Sequence, residues 1–452
     1  MTLNDTIIAC ATAAGYSSIA VLRVSGPRTR EFISKVLRLK NPDPSFLPNR
    51  SYYGSIVDPG IDEVIDKVVV TFFNEPNSYT GEDSAEISCH GNPVIIDRII
   101  GLLLENGCHP AQRGEFTKRA LLNGKIDLIQ AEAILDTVHA TCDEARRLAI
   151  SQYEGKLSQK IYEIKSEVVD MLSLVEADID FPEEEDVPSA SVKIQSQMVD
   201  RISVIIQTID ILLDSADIGR KIKEGYRVLI IGRSNVGKST LFNSIIGYDR
   251  AITHEEPGTT RDYIDDRIEL QGLYIWLYDT AGFLNRATGP DIVAQEKSQE
   301  LLNQADLVLL VFDGSEPMNE QDISLYNLTK DRNRILIVNK IDKNVKLSES
   351  KILSDSIKIS AKTGENLNIL KNDISKKLIK QPLKKQIILT KQRHIDGLQQ
   401  IKEYLRKGMK TSSSELLAFE LHSALDIIGE LTGKVLRSDI LDKIFNEFCI
   451  GK

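Results

Sequence analysis

Long apolar runs are missing from this chain of 452 residues. None reaches the roughly 18 residues that a membrane-crossing helix requires, so no contact with a bilayer is expected. Cysteine is scarce, at five, an odd number without metal-type spacing. That suits a reducing cytoplasm rather than a disulfide framework. Positive charge is short as well. The formal net charge of −10 argues against a generally basic surface that coats nucleic acid, so any RNA contact has to be local. The opening residues, MTLNDTIIAC, lack the basic start and cleavage site of a signal peptide, and a cytoplasmic location is the expectation. What remains is the composition of a globular protein, 42% hydrophobic and 27% charged with one Trp. The length exceeds one ordinary core and predicts two or three domains.

What is present begins with a phosphate-binding signature. Gly232 to Thr240 reads GRSNVGKST and fits G-x-x-x-x-G-K-[ST]. The apolar run Val228 to Ile231 predicts a buried strand before it. Leu241, Phe242, Ile245 and Ile246 predict a helix after it, with Gly247 as a stop. In such a loop the amides from Asn235 through Val236, Gly237 and Thr240 face phosphate. Lys238 reaches the β- and γ-phosphates, and the Ser239 hydroxyl binds Mg²⁺. The alternative is a plain Gly/Ser turn between strand and helix.

Three further stretches select the nucleotide. A β-rich segment, Leu273 to Tyr278, runs into Asp279-Thr280-Ala281-Gly282. The acid there can hold the metal's water, and Gly282 lets an amide approach the γ-phosphate. The strand Ile335 to Val338 delivers Asn339-Lys340-Ile341-Asp342. The Asp342 carboxylate can accept hydrogen bonds from guanine's N1–H and exocyclic amine, a match that adenine lacks and that can be worth a factor of roughly 10⁴. Ser360-Ala361-Lys362 would close over the base, with the Ala361 amide directed at guanine O6. Four motifs in this order predict a GTP site.

The rest of the chain predicts a multidomain α/β protein. Residues 1–118 are expected to form an N-terminal α+β domain, with strands at Ile7 to Ala11, Ile19 to Val24, Val68 to Phe73 and Ala85 to Ser88, and a helix from Pro93. Read from composition alone, its Arg23, Glu82, Glu86 and His90 are surface or capping residues. Residues 119–224 form the first half of a helical-bundle domain. Leu157, Ile161, Ile164, Val168, Met171 and Val175 recur at helical spacing, and so do Ile194, Met198, Ile202, Ile205, Ile209 and Leu212 beyond the acidic break at Phe181 to Asp186. Residues 225–379 form a Ras-like G domain, a parallel-rich sheet flanked by helices, inserted into the bundle. Residues 380–452 supply its second half, with stripes at Ile395 to Leu405 and Leu417 to Leu431 and a last helix from Ser438. Lys376, Lys377, Lys380, Lys384, Lys385 and Lys391 are read as an exposed charged helix rather than an RNA contact.

Turnover needs a device of its own. The Gln that positions water in small GTPases would follow Gly282, and Phe283 stands there. Thr260, in Gly258-Thr259-Thr260-Arg261-Asp262, is the natural second Mg²⁺ ligand. Asn235 either shapes the phosphate loop or, with carbonyls of the loop before Gly258, holds a monovalent cation. Such a cation would take an arginine finger's place, an effect worth about 10³ to 10⁵ in rate.

GRSNVGKS, GTTRD, DTAG, NKID and SAK between two helical halves resemble the tRNA-modification GTPases of the MnmE (TrmE) type. So do Asn4-Asp5-Thr6-Ile7, Arg23, the TGED of Thr80 to Asp83, the GEF of Gly114 to Phe116, the IDFPEEE of Ile179 to Glu185 and the closing Phe448-Cys449-Ile450-Gly451-Lys452. The resemblance spans the chain. It implies K⁺-stimulated GTP hydrolysis with G domains paired across a homodimer. It also implies a flavoprotein partner of the MnmG (GidA) type carrying FAD, and an aminomethyl-type or carboxymethylaminomethyl group placed on C5 of the wobble uridine of certain tRNAs. The carbon would come from a 5-formyl- or 5,10-methylene-tetrahydrofolate on the N-terminal domain, contacted by Arg23, Glu86, Lys125 and Lys452, and Cys449 acquires a catalytic role. Relatives carry a Glu after the DTAG loop that activates water; Asp291, one methylene shorter, aligns there, and Glu296 matches a second acid. The resemblance implies nucleotide contacts along His254-Glu255-Glu256-Pro257, and K⁺ contacts at Asn235, His254, Glu256 and Thr259. His254 and Glu256 stand where relatives have smaller or neutral residues. A different class, a GTP-switched ribosome-assembly factor, would require an RNA-binding module or a basic tail, and neither is evident in the sequence.

Overall fold

The computed structural model describes residues 5–40, 46–180, 189–248, 265–279, 300–346, 354–379, 386–411, 413–435 and 438–452. The chain divides into two compact units. One comprises Met1–Val138, Ile150–Ile206 and Gly397–Lys452; the other comprises His139–Ala149 and Gln207–Asp396.

The first unit holds a seven-stranded sheet: β1 (Ile7–Cys10), β2 (Ser17–Ser25), β3 (Leu37–Leu39), β4 (Arg50–Asp58), β5 (Glu63–Phe73), β6 (Ser84–Gly91) and β7 (His109–Pro110), in the order β3-β4-β5-β6-β2-β1-β7. In β5, Val68, Val70 and Phe72 are buried while the residues between them face outward. That alternation is expected of an antiparallel sheet with one covered face. Helices Thr29–Val36 and Pro93–Glu105 cover it with Phe32, Ile33, Ile99, Leu102 and Leu103. Asn92 caps the second helix, accepting from the Val94 amide at 2.9 Å. The sequence predicts β1, β2, β5, β6 and this helix; β3, β4 and β7 go unforeseen. The long helix Lys156–Asp180 packs on Ser414–Thr432 within the same unit, burying the predicted Leu157–Val175 stripe and Leu417, Leu421, Ile428 and Leu431.

The second unit holds a six-stranded sheet: β8 (Tyr226–Ile231), β9 (Asp265–Leu270), β10 (Leu273–Asp279), β11 (Leu307–Asp313), β12 (Arg334–Asn339) and β13 (Ile357–Lys358), in the order β13-β12-β11-β8-β10-β9. All pairings are parallel except β9 with β10. Every residue of β11, LVLLVFD, is buried, as befits a strand covered on both faces. Helices Lys238–Tyr248 and Leu367–Leu378 cover one face, and Leu148, Ile222 and Ile388 join the same core. Short stretches outside 225–379 are thus built into the nucleotide-domain core. Strand order reverses at β8, and a crevice at the carboxyl ends of the strands is where such sheets bind ligands.

Candidate functional site

The loop leaving β8 stands at that crevice. Asn235 and Gly237 take left-handed φ values of 65° and 96°, which bend the chain into a cradle before the helix starts at Lys238. Only glycine fits at 237, because a Cβ there would collide with Asn339 Nδ2. The Lys238 ammonium is 6% exposed and donates to the carbonyls of Gly232 at 3.0 Å and Arg233 at 2.9 Å. Burial lowers its pKa from the ordinary value, and the charge of Asp279 opposes that shift. Ser239 Oγ donates to Asp279 Oδ2 at 2.7 Å. A hydroxyl and a carboxylate side by side at a strand end are a hard-oxygen set suited to Mg²⁺.

The distal loops converge on the same cradle. Asn339, at the end of β12, donates from Nδ2 to Val236 O and accepts at Oδ1 from the Ala361 amide, both at 2.9 Å. One buried side chain therefore ties the phosphate loop to the SAK loop. Lys340, at φ 66°, reaches Asn235 O at 2.6 Å and Asp313 Oδ2 at 2.5 Å. Ser360 Oγ donates to Asp342 Oδ1 at 2.7 Å, and this hydrogen bond holds the exposed Asp342 carboxyl below its ordinary range. The Lys362 backbone follows in the same turn. Thr280, Ala281, Gly282, His254, Glu255, Glu256, Pro257, Gly258, Thr259, Thr260, Asp291 and Glu296 lie outside the described residues.

A second cluster forms on the first unit's sheet. Arg23 on β2 stands opposite Glu86 on β6 and donates to its Oε1 from Nη2 at 2.9 Å. The guanidinium lies 4.9 Å from the Tyr79 ring centre and 5.7 Å from that of Phe116. Residues 449–452 come to this place. Ile450 bridges Arg113, and Gly451 O accepts from Arg23 Nη1 at 3.5 Å. Gly451, at φ 96°, packs so closely on Cys10 that a Cβ would strike the Cys10 carbonyl. Burial lowers the Lys452 ammonium pKa, the charge of a Cys449 thiolate raises it and Arg23 lowers it further, which puts the three groups within electrostatic reach. Cys449 is exposed, whereas burial pushes the thiols of Cys89 and Cys108 up to about 11 and 12. Lys125 Nζ donates to Pro76 O at 2.8 Å, beside the Thr80–Asp83 turn.

Sequence reasoning missed a buried network beneath this cluster. Arg119 donates to Glu82 Oε2 at 3.2 Å, Glu115 Oε1 at 3.0 Å and Asp5 O at 2.7 Å. Glu82 also accepts from Ser25 Oγ at 2.8 Å, so it is an internal anchor rather than a surface residue. The signals in the sequence are the TGED and GEF motifs that hold Glu82 and Glu115, with an Arg four residues after the latter. His90 is exposed and held by Asp66 Oδ1 at 2.7 Å from its Nδ1.

A parallel sheet with a glycine-shaped phosphate cradle and an Asn-tethered base loop defines a P-loop nucleotide-binding domain. Comparison with known proteins carries this further. The model of the GTP-binding protein TrmE N-terminus matches residues 6–125, and that of the MnmE helical domain matches residues 128–449. The tRNA modification GTPase MnmE of Natranaerobius thermophilus is 37% identical over 99% of this chain and 100% of its own length. The proteins of that name from Aquifex aeolicus and Geobacter sulfurreducens are 36% and 38% identical over 100% of both chains. Among solved structures, the G domain of the T. maritima FeoB iron transporter is 27% identical over 34% of this chain and 99% of that one, with a TM-score of 0.28. The chain belongs to the MnmE (TrmE) family of tRNA modification GTPases.

Proposed function

We propose that this GTPase hydrolyses GTP in a K⁺-stimulated way and, as a homodimer with a flavoprotein partner of the MnmG type, builds an aminomethyl-type group on C5 of the wobble uridine of certain tRNAs. The carbon comes from a reduced folate. The observation that carries the proposal is the meeting of Arg23 and Glu86 with Gly451, 428 residues downstream of Arg23. It brings a cysteine and a lysine from one end of the chain to an Arg–Glu pair near the other. Glu86 suits pterin N–H donors, and the neighbouring Arg23 and Lys452 suit the carbonyl and carboxylate oxygens of a folate.

In the G domain, Lys238 and the loop amides bind the phosphates, Asp342 accepts from guanine, and Asn339 keeps both loops in register. Ser239 and Asp279, with Thr260, would hold Mg²⁺, which when bound neutralises phosphate charge. Asn235 with the 254–259 segment would hold K⁺, which supplies an arginine finger's positive charge. Asp291 is the proposed water-orienting acid.

The test is reconstitution with purified flavoprotein, undermodified tRNA, GTP, methylene-tetrahydrofolate and an amine donor, ammonium in one arm and glycine in the other, read by nucleoside mass spectrometry. Wobble uridine should be modified only when all five are present. Modification that persists without folate would remove the one-carbon role. Replacing K⁺ by Na⁺ should slow hydrolysis by about 10³-fold or more while nucleotide affinity holds; equal rates in the two salts would discard the cation.

A further inference from the structure

We infer that Arg233, paired with Asp322, is a positioning residue that sets the phosphate loop for nucleotide binding. The inference rests on the GTP site proposed above. Arg233 is the second residue of the loop, and its carbonyl is one of the two that take the Lys238 ammonium. Its guanidinium points away from the cradle, toward the loop and helix that follow β11. Nη2 lies 2.6 Å from Glu316 Oε2, and Nε lies 3.4 Å from Asp322 Oδ2. Asp322 is 2% exposed. It accepts at Oδ2 from the Asn319 amide at 3.2 Å and belongs to the capping box of helix Glu320–Leu328. Its Oδ1 and Arg233 Nε are buried without a hydrogen bond among the described residues. A carboxylate this dry needs its cation, so the helix start grips the loop through Arg233.

The grip completes a ring. Lys340 ties Asn235 O to Asp313 Oδ2, the Asp313 carbonyl accepts from the Glu316 amide, and Glu316 returns to Arg233. The phosphate loop is held at two residues, 233 and 235, by two cations, the Arg233 guanidinium on Glu316 and the Lys340 ammonium on Asn235 O. Lys340 belongs to the guanine-reading motif, whereas Arg233 stands at a position that the G-x-x-x-x-G-K-[ST] pattern leaves unspecified. With Arg233 unclamped, the carbonyl that aims Lys238 is free to turn, and the loss shows in binding of GDP as well as GTP, through the β-phosphate that the two share.

The experiment measures Kd for fluorescently labelled GDP and GTP, kcat, KM and melting temperature for wild type, Arg233→Met, Arg233→Lys, Asp322→Asn and the double variant Arg233→Met/Asp322→Asn. The double variant leaves no buried unpaired charge, so a folded form is available even if a single variant fails to fold. Expected are a Kd for both nucleotides raised about tenfold in Arg233→Met, a double variant no weaker than that single one, and partial rescue in Arg233→Lys. A lowered melting temperature with Kd within twofold of wild type would make the pair a mere structural brace and overturn the inference. A fall in kcat with Kd for GDP and GTP both within twofold of wild type would overturn it too. Failure of the wild-type chain to bind GTP would instead overturn the nucleotide site itself.

Discussion

Asn339 joins Val236, 103 residues upstream, to Ala361, 22 residues downstream, with one amide group. Both hydrogen bonds are buried, so breaking either strands a polar group. Gly237→Ala attacks this point twice, through a left-handed φ of 96° and through collision with Asn339 Nδ2. Strain of about 1–3 kcal/mol implies that nucleotide affinity falls roughly 5- to 150-fold; calorimetric Kd values within twofold would contradict this. Asp342→Asn should move preference from GTP to xanthosine triphosphate in competition binding, because the amide reverses one donor–acceptor pairing. The Ser360 hydrogen bond lowers the Asp342 pKa from 3.8. The folded site therefore keeps its carboxylate as pH falls to the ordinary value and loses it only below that, so Asp342's contribution to GTP binding should be constant from pH 7 to about 5. An NMR titration of this carboxyl centred above 3.8 would refute that sign. The motifs made these residues legible, because phosphate and guanine each demand fixed chemistry at fixed spacing. Asn339's bridge and Arg233's clamp were not legible, since their partners lie dozens of residues away with no periodic signal.

Elements were legible where their period was long and clean. Lys156–Asp180 and Ser414–Thr432 follow from apolar stripes that are indeed buried. Helix Asp143–Tyr153 shows the limit. Its Glu144 amide donates to Gly272 O at 3.0 Å, and its Asp143 amide to Glu269 Oε1 at 3.3 Å, both on the β9–β10 hairpin. Spacing can reveal an apolar face but not which core receives it, so a segment upstream of residue 225 was not foreseen as part of the nucleotide domain. Elements also meet through charge. Arg119 clamps helix Glu115–Leu122 to the Thr80–Asp83 turn and to Asp5 O. Arg119→Met would leave Glu82 and Glu115 without their cation in near-complete burial, at a cost of about 3–5 kcal/mol. A urea melt showing less than 1 kcal/mol of destabilisation would mean that the two acids find water.

Across the molecule, the proposed function gives one chain two chemistries, nucleotide hydrolysis and one-carbon transfer. Removing residues 449–452 should abolish reduced-folate binding, measured by fluorescence quenching, and leave GTP turnover by the purified protein within about twofold. Loss of both activities would mean that the tail supports the whole fold rather than one site.

The contact between Arg23 and Gly451 also fixes an order of events in the cell. A ribosome adding about 5–20 residues per second needs roughly 20 to 90 s to cover the 428 residues between them. During that interval the N-terminal sheet can already have folded while the aromatic-flanked Arg–Glu pair waits, uncovered, for its last neighbour. On the proposed function, a newborn chain would thus be able to grip nucleotide before its folate site was complete, and one stalled late in synthesis would hydrolyse GTP to no purpose.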